Sequence, residues 1–392
     1  MKGNPENTKQ FLTYCETDLV MDYRRMPIEV ESPEQMGYET IRNNLSESSY
    51  TDAIFRDIRM DTDLRELLLS YGPHFGHEGL RGGIIAGTNL AKDDVLLTIG
   101  AAGALFIIAT TLLEKGDELI VVRPNYATNI ETPRAIGADI RFIDLWFEEK
   151  FALDIDKLKA AISPGTRYIS VTSPHNPTGV CLNAGELKQL ADLAEERGLY
   201  LLVDETYRDM VFGEQVPLAA TLSSRVISVS SLSKTYGLPG LRVGWIICRD
   251  QQLMTKFLAA KEQIHICGPL LDEEIAFHYW QHKAGHLARI RSDIRQKFES
   301  VKEWMRQQND FEWIEPAGGC VCFPRLRQPE VGDIDRFYHI LLEDYGTYVG
   351  PGHWFEMPRH YMRIGFGWPP EERLKEGLSA LTTAWESTLK GH

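Results

Sequence analysis

The sequence is short of positive charge, sparing in cysteine and devoid of long apolar runs. Its 42 Lys and Arg stand against 56 Asp and Glu, a net of −14. No local basic patch offsets that balance, so a nucleic-acid backbone would meet repulsion, and nucleic-acid partners are not expected. The six cysteines, Cys15, Cys181, Cys248, Cys267, Cys320 and Cys322, are scattered along a chain long enough to fold without cross-links. No basic stretch leading into an apolar segment opens the sequence; reduced thiols and a cytoplasmic location are therefore expected. The longest apolar stretch, residues 101–113, carries Thr and Gly and falls short of the roughly 18 residues that a membrane span needs. Gly/Ser-rich or Pro-rich linkers and internal repeats are also missing.

What is present is ordinary globular composition, 43% hydrophobic and 25% charged over 392 residues, which excludes disordered and fibrous chains. Short β-branched apolar runs at residues 96–99, 118–122, 139–143, 168–172, 200–203 and 226–229 alternate with amphipathic stretches. That rhythm predicts an α/β fold in three layers, a mostly parallel sheet flanked by helices on both faces. Asn183 followed by Glu186 reads as a capping box, and Gly198 as the stop of the same helix. Residues 1–60 are polar and weakly periodic, which predicts an arm with short helices packing on a smaller domain. The large domain is expected over 61–286. A smaller α+β unit follows over 287–392, with a long charged helix over 287–309 and a last helix over 370–389.

Chemistry concentrates between Ser173 and Trp245. Lys234, in Ser230-Ser231-Leu232-Ser233-Lys234, leaves a predicted strand amid small hydroxylated residues, a setting for covalent chemistry. Asp204 ends an almost wholly apolar strand, where a carboxylate needs a cationic partner, and a protonated pyridine nitrogen would serve. Asn176 lies in the turn Pro174-His175-Asn176-Pro177-Thr178-Gly179. Gly100-Ala101-Ala102-Gly103 opens an apolar helix whose free N–H groups suit a phosphate. All four features fall at the carboxyl ends of predicted strands, where α/β sheets bind ligands.

The set Asn-Pro-Thr-Gly, Asp-Glu-x-Tyr and Ser-Leu-Ser-Lys-Thr-Tyr-Gly-Leu-Pro-Gly-Leu-Arg-Val-Gly-Trp resembles the pyridoxal-phosphate enzymes of fold type I, in the class I/II aminotransferase family. The resemblance covers essentially the whole chain. It implies that Lys234 is the Schiff-base lysine and moves the Cα proton, with Asp204 on the pyridine nitrogen. By the same likeness, Asn176 and Tyr207 hydrogen-bond the phenolate oxygen, Tyr126 stacks on the ring, and Ser231 and Arg242 hold the phosphate. Tyr71 would reach the phosphate of a neighbouring subunit in a homodimer whose active site lies at the interface. Arg363, together with Asn176, would take the carboxylate of a small amino-acid substrate. Family members often place Ser or Thr where this chain has Ala101 and Ala102, so those two can contribute only backbone amides.

Residues 71–81, 318–325, 350–352 and 362–366 are similar to the cyclases that form capreomycidine- and enduracididine-type rings. Those enzymes close a guanidine ring on a hydroxylated arginine. The expected activity is therefore a cyclase or dehydratase, with ordinary transamination between an amino acid and a 2-oxo acid as the alternative. A non-catalytic binding or regulatory module of the same fold is disfavoured because Lys234, Asp204, Asn176, Tyr207, Arg242 and Arg363 are retained together. A guanidinium substrate calls for an acid in the pocket, and Glu31 or Glu29, just before Ser32-Pro33, is the expected partner. His74 and His77 are separated by Phe75-Gly76, which reads as a turn, and no metal site is expected.

Overall fold

The computed structural model describes residues 21–390; Cys15 and the first third of the expected arm lie outside the described residues. The chain first lays down a three-residue strand, β1 (Asn43–Leu45). It then builds the central sheet from β2 (Val95–Ile99), β3 (Glu118–Arg123), β4 (Asp139–Asp144), β5 (Thr166–Thr172), β6 (Tyr200–Asp204), β7 (Val226–Ser231) and β8 (Val243–Cys248). The seven strands run in the order β2-β8-β7-β6-β5-β3-β4. Six of them are the apolar runs of the sequence, and β3 to β7 pair in parallel. The seventh, β8, was not anticipated; it inserts antiparallel between β2 and β7. Helices cover both faces, so the inner strands are buried almost continuously, as expected of a sheet sandwiched between two helical layers.

Local sequence sets the helix ends. Asn183 accepts a hydrogen bond from the Glu186 amide while Glu186 accepts from that of Asn183. Gly198 closes this helix (Ala184–Arg197) in the left-handed conformation, φ +68°. The helix Gly100–Leu112 follows β2 without a loop and has no side-chain cap, so its first amides point unpaired out of the carboxyl edge of the sheet.

The rest of the chain forms a second layer system. It comprises β9 (Phe311–Glu312), β10 (Val321–Cys322), β11 (Arg325–Leu326), β12 (Thr347–Pro351) and β13 (Met362–Gly365). A four-stranded sheet runs β1-β12-β13-β10, with β1 parallel to β12 and the other pairs antiparallel. Helices Lys283–Arg306, Ile334–Glu343 and Glu371–Lys390 pack on it around Ile294, Phe337, Leu381 and Trp385. The arm is thus part of this sheet through β1, and its two short helices, Pro27–Val30 and Pro33–Met36, lie before that strand. No helix among the described residues is long and apolar enough to cross a membrane.

Candidate active site

A cavity beside the small sheet is lined by residues of the arm together with Lys234, just past β7, Tyr126 and Arg363. Lys234 stands three residues beyond β7. Its backbone is fixed because its carbonyl accepts from the Tyr50 amide at 2.8 Å. The ε-amine is left to the cavity.

Asp204, at the last position of β6, is 5% exposed. It accepts from the Thr206 amide at 3.0 Å and the Thr206 hydroxyl at 2.6 Å, with the Asn129 amide beside it. All of these donors are neutral, and burial pushes the carboxyl above the ordinary aspartate range. A buried carboxylate ringed by neutral donors fits a cationic pyridine nitrogen, which would supply the missing charge. Nearby, the phosphate of such a cofactor has a ready cradle. The unpaired amides of Ala101 and Ala102 start the helix after β2. The Gly100 amide donates to the Arg242 carbonyl. A Cβ at Gly100, whose φ is +67°, would come 2.7 Å from Arg242 Nη2, so glycine is what lets the guanidinium cover the helix start. Ser231 is buried, and its oxygen accepts from the Ser233 amide at 3.3 Å, which leaves its hydroxyl proton free to donate. The donor set therefore fits pyridoxal phosphate, with ring and phosphate ends both provided for.

Arg363, on β13, is 3% exposed. Its Nη1 donates to Asn176 Oδ1 at 3.1 Å and its Nη2 to the Ser46 carbonyl at 2.6 Å, while Nε has no partner among the described residues. Burial pulls its pKa down from the ordinary guanidinium value, the signature of a cation short of its counter-ion. A substrate carboxylate would supply one. Asn176 joins this arrangement by accepting from Arg363, which leaves its NH2 group to donate elsewhere.

Tyr207 donates its hydroxyl to the Ser48 carbonyl at 2.6 Å. One expectation is corrected. Glu31 does not line the cavity. Its carboxylate takes hydrogen bonds from Trp354 Nε1 at 2.7 Å and His353 Nε2 at 2.9 Å, and its carbonyl accepts from the Tyr348 hydroxyl. Glu31 fastens the arm to the small sheet; the acids that face the cavity are Glu29, Glu34 and Glu47. Of these, Glu47 carried no signal in the sequence. Glu31→Gln is accordingly expected to raise KM for cationic and neutral amino acids alike, by about fivefold or about 1 kcal/mol. A rise confined to the cationic ones would return Glu31 to the pocket.

Tyr126 lines the cavity. Tyr71, expected to reach a neighbouring subunit rather than its own cavity, is 79% exposed, in an apolar stretch with Leu68 at 77% and Leu69 at 79%. His77 caps the helix Glu78–Ile84 by accepting from the Leu80 amide, and His74 pairs with Glu262.

The comparisons agree with this geometry. The family described as aminotransferase class I and II matches residues 42–381. The chain is 31% identical over 365 residues to capreomycidine synthase of Streptomyces vinaceus, covering 90% of this chain and 92% of that one. It is 28% identical over 277 residues to the arginine–pyruvate transaminase AruH of Pseudomonas aeruginosa, covering 69% of each. Among solved structures, the PLP-dependent cyclase OrfR superposes with a TM-score of 0.83 at 26% identity, over 94% of this chain and all of that one. The chain belongs to the class I and II aminotransferase family and is a pyridoxal-phosphate enzyme of that fold.

Proposed function

We propose that the enzyme is a cyclase that removes water from a hydroxylated L-arginine and closes a cyclic guanidine amino acid of the capreomycidine or enduracididine type. The observation that carries this reading is the charge of the cavity: Glu29, Glu34 and Glu47 face Lys234 and Arg363. Once the substrate carboxylate neutralises Arg363, the rim acids Glu29 and Glu34 are left facing the side chain of the bound amino acid. An amino acid with a cationic side chain restores the balance; a neutral or acidic one does not. The similarity to a capreomycidine synthase and to a cyclase supports the same reading.

In this reading Arg363 and Asn176 hold the substrate carboxylate. Lys234 removes the Cα proton. Asp204 holds the ring nitrogen, Asn176 the phenolate, and Ser231, Arg242 and the amides of Ala101 and Ala102 the phosphate. When bound, pyridoxal phosphate supplies an electron sink for the pair released at Cα. The exposed rim acids Glu29 and Glu34 receive the guanidinium. The active form is a homodimer in which Tyr71 projects from one subunit towards the phosphate of the other, which its 79% exposure leaves it free to do.

Transamination is the second reading, favoured by the 28% identity to an arginine–pyruvate transaminase. One assay divides the two. Purified enzyme is incubated with arginine, with 3- and 4-hydroxyarginine and with a panel of amino acids, with and without 2-oxoglutarate or pyruvate, and products are weighed by mass spectrometry. Loss of one water from a hydroxyarginine without any 2-oxo acid is the expected result. Turnover that requires a 2-oxo acid for every substrate would establish the transaminase instead.

A further inference from the structure

The segment Ser46-Glu47-Ser48 is clamped on three sides. The Ser46 carbonyl is held by Arg363 and the Ser48 carbonyl by Tyr207, each at 2.6 Å. The carbonyl of Glu47 itself rests on β13, where a Cβ at Gly365 would come 1.7 Å from it. With its backbone turned to β13, Glu47 lines the cavity shared with Lys234 and Arg363. Tyr38 donates its hydroxyl to Glu47 Oε1 at 3.1 Å. Glu29 and Glu34 are exposed at the rim, whereas Glu47 is partly buried and feels both Lys234 and Arg363. It is the one of the three cavity acids that is not exposed.

We propose that Glu47 gives the departing side-chain hydroxyl its proton and then accepts the proton that the guanidine nitrogen sheds on closing the ring, a role that rests on the cyclase reading above. For a hydroxyl on Cβ the step balances as follows. Lys234 takes the Cα proton, and the pair left behind forms the Cα–Cβ double bond as the Cβ–O bond breaks. The oxygen leaves as water, carrying the Glu47 proton. The guanidine nitrogen bonds to Cβ and passes one N–H proton to Glu47. The double-bond pair returns to Cα, which recovers its proton from Lys234. One water is lost, nothing is oxidised or reduced, and both residues end as they began.

The surroundings prepare Glu47 for this exchange. Burial pushes its carboxyl above the ordinary range and Glu34 adds to the push, while Lys234, Arg363 and the Tyr38 hydroxyl favour the charged form. The buried Cys320 thiol lies in the same field. Substrate binding pairs Arg363 with a carboxylate, which weakens one of the charges favouring the ionised form and leaves burial, already the largest influence on Glu47, less opposed. Glu47 is then protonated when a proton is needed.

The test uses the holoenzyme and Glu47→Gln, which keeps the size of the side chain and an oxygen for Tyr38. With L-arginine, which has no leaving group, deuterium exchange at Cα from heavy water reports Lys234. With 3-hydroxyarginine, the mass of the product reports ring closure. Glu47→Gln is expected to keep exchange within about threefold and to lose ring closure by about 100-fold or more. Calorimetric titration with L-arginine in two buffers of different ionisation enthalpy should show a proton taken up by wild type and not by Glu47→Gln. Glu47→Asp, one methylene shorter, should recover part of the ring closure and the proton uptake. The assignment is overturned if Glu47→Gln closes the ring within a few-fold of wild type, or if exchange and ring closure fall together. If wild type itself never dehydrates a hydroxyarginine, the cyclase reading has failed rather than the placement of Glu47.

Discussion

Lys234→Ala is expected to slow Cα proton exchange by about 10⁴-fold or more, since it removes the cavity amine proposed to take the Cα proton. The same variant should lose the covalent tie to the cofactor. After borohydride reduction, wild-type protein should carry the cofactor's mass on the peptide containing Lys234, and the variant should carry none. The phosphate contacts proposed for Ser231, Arg242 and the helix start at Gly100 are untouched by the change, so the variant should still bind the coenzyme reversibly through that end. Labelling of another lysine in reduced wild-type protein, for instance the buried Lys261 or Lys297, would contradict the assignment of Lys234.

Asp204→Asn should have opposite effects on the two forms of the protein. Without cofactor, Asp204 is a carboxylate whose burial raises its pKa above 3.8 and whose donors are all neutral. Such a group stabilises the fold while protonated, below about pH 4, and loses that contribution as pH rises through its raised folded value. Asn never ionises, so the cofactor-free variant should melt at the same temperature as wild type or higher at neutral pH, by about 1–3 kcal/mol at most. It should also lack that part of the pH dependence. With cofactor the sign reverses: wild type gains an ion pair that the variant cannot form, so the rise in Tm on adding pyridoxal phosphate should shrink and Cα exchange should fall by about 10³-fold. Thermal melts of both proteins at acid and neutral pH, with and without cofactor, check this. A cofactor-free variant less stable than wild type by several kcal/mol would refute it.

Local signals carried much of this molecule into the sequence. The six strands and the capped helix after Asn183 are written in residues that touch within a few positions of one another, and the Asp204 and Lys234 motifs ride on strand ends that periodicity locates. The antiparallel β8 escaped because Val243-Gly244-Trp245-Ile246-Ile247-Cys248 is buried throughout and shows no alternation that would mark direction. Glu47 escaped for a different reason. Its place depends on β1 pairing with β12, Asn43 against Thr347, a partnership across some three hundred residues that no local pattern records. The hydrogen bond from Tyr207 to Ser48 was invisible on the same account, because Ser48 reaches it from the arm. Glu31 was assigned by nearness in sequence to Glu29 and Ser32, which do line the cavity, but its carboxylate is engaged by His353 and Trp354.

The membership of β1 in the small sheet has a mechanical corollary. Arg363 on β13, Glu47 just past β1 and the arm fastened by Glu31 all travel with that sheet, whereas Lys234, Asp204 and Arg242 travel with the central one. An amino acid gripped by its carboxylate on one side and attacked at its α-carbon on the other would add one more bridge between the two sheets, beside those already made by Arg363 with Asn176, Ser48 with Tyr207 and Tyr50 with Lys234.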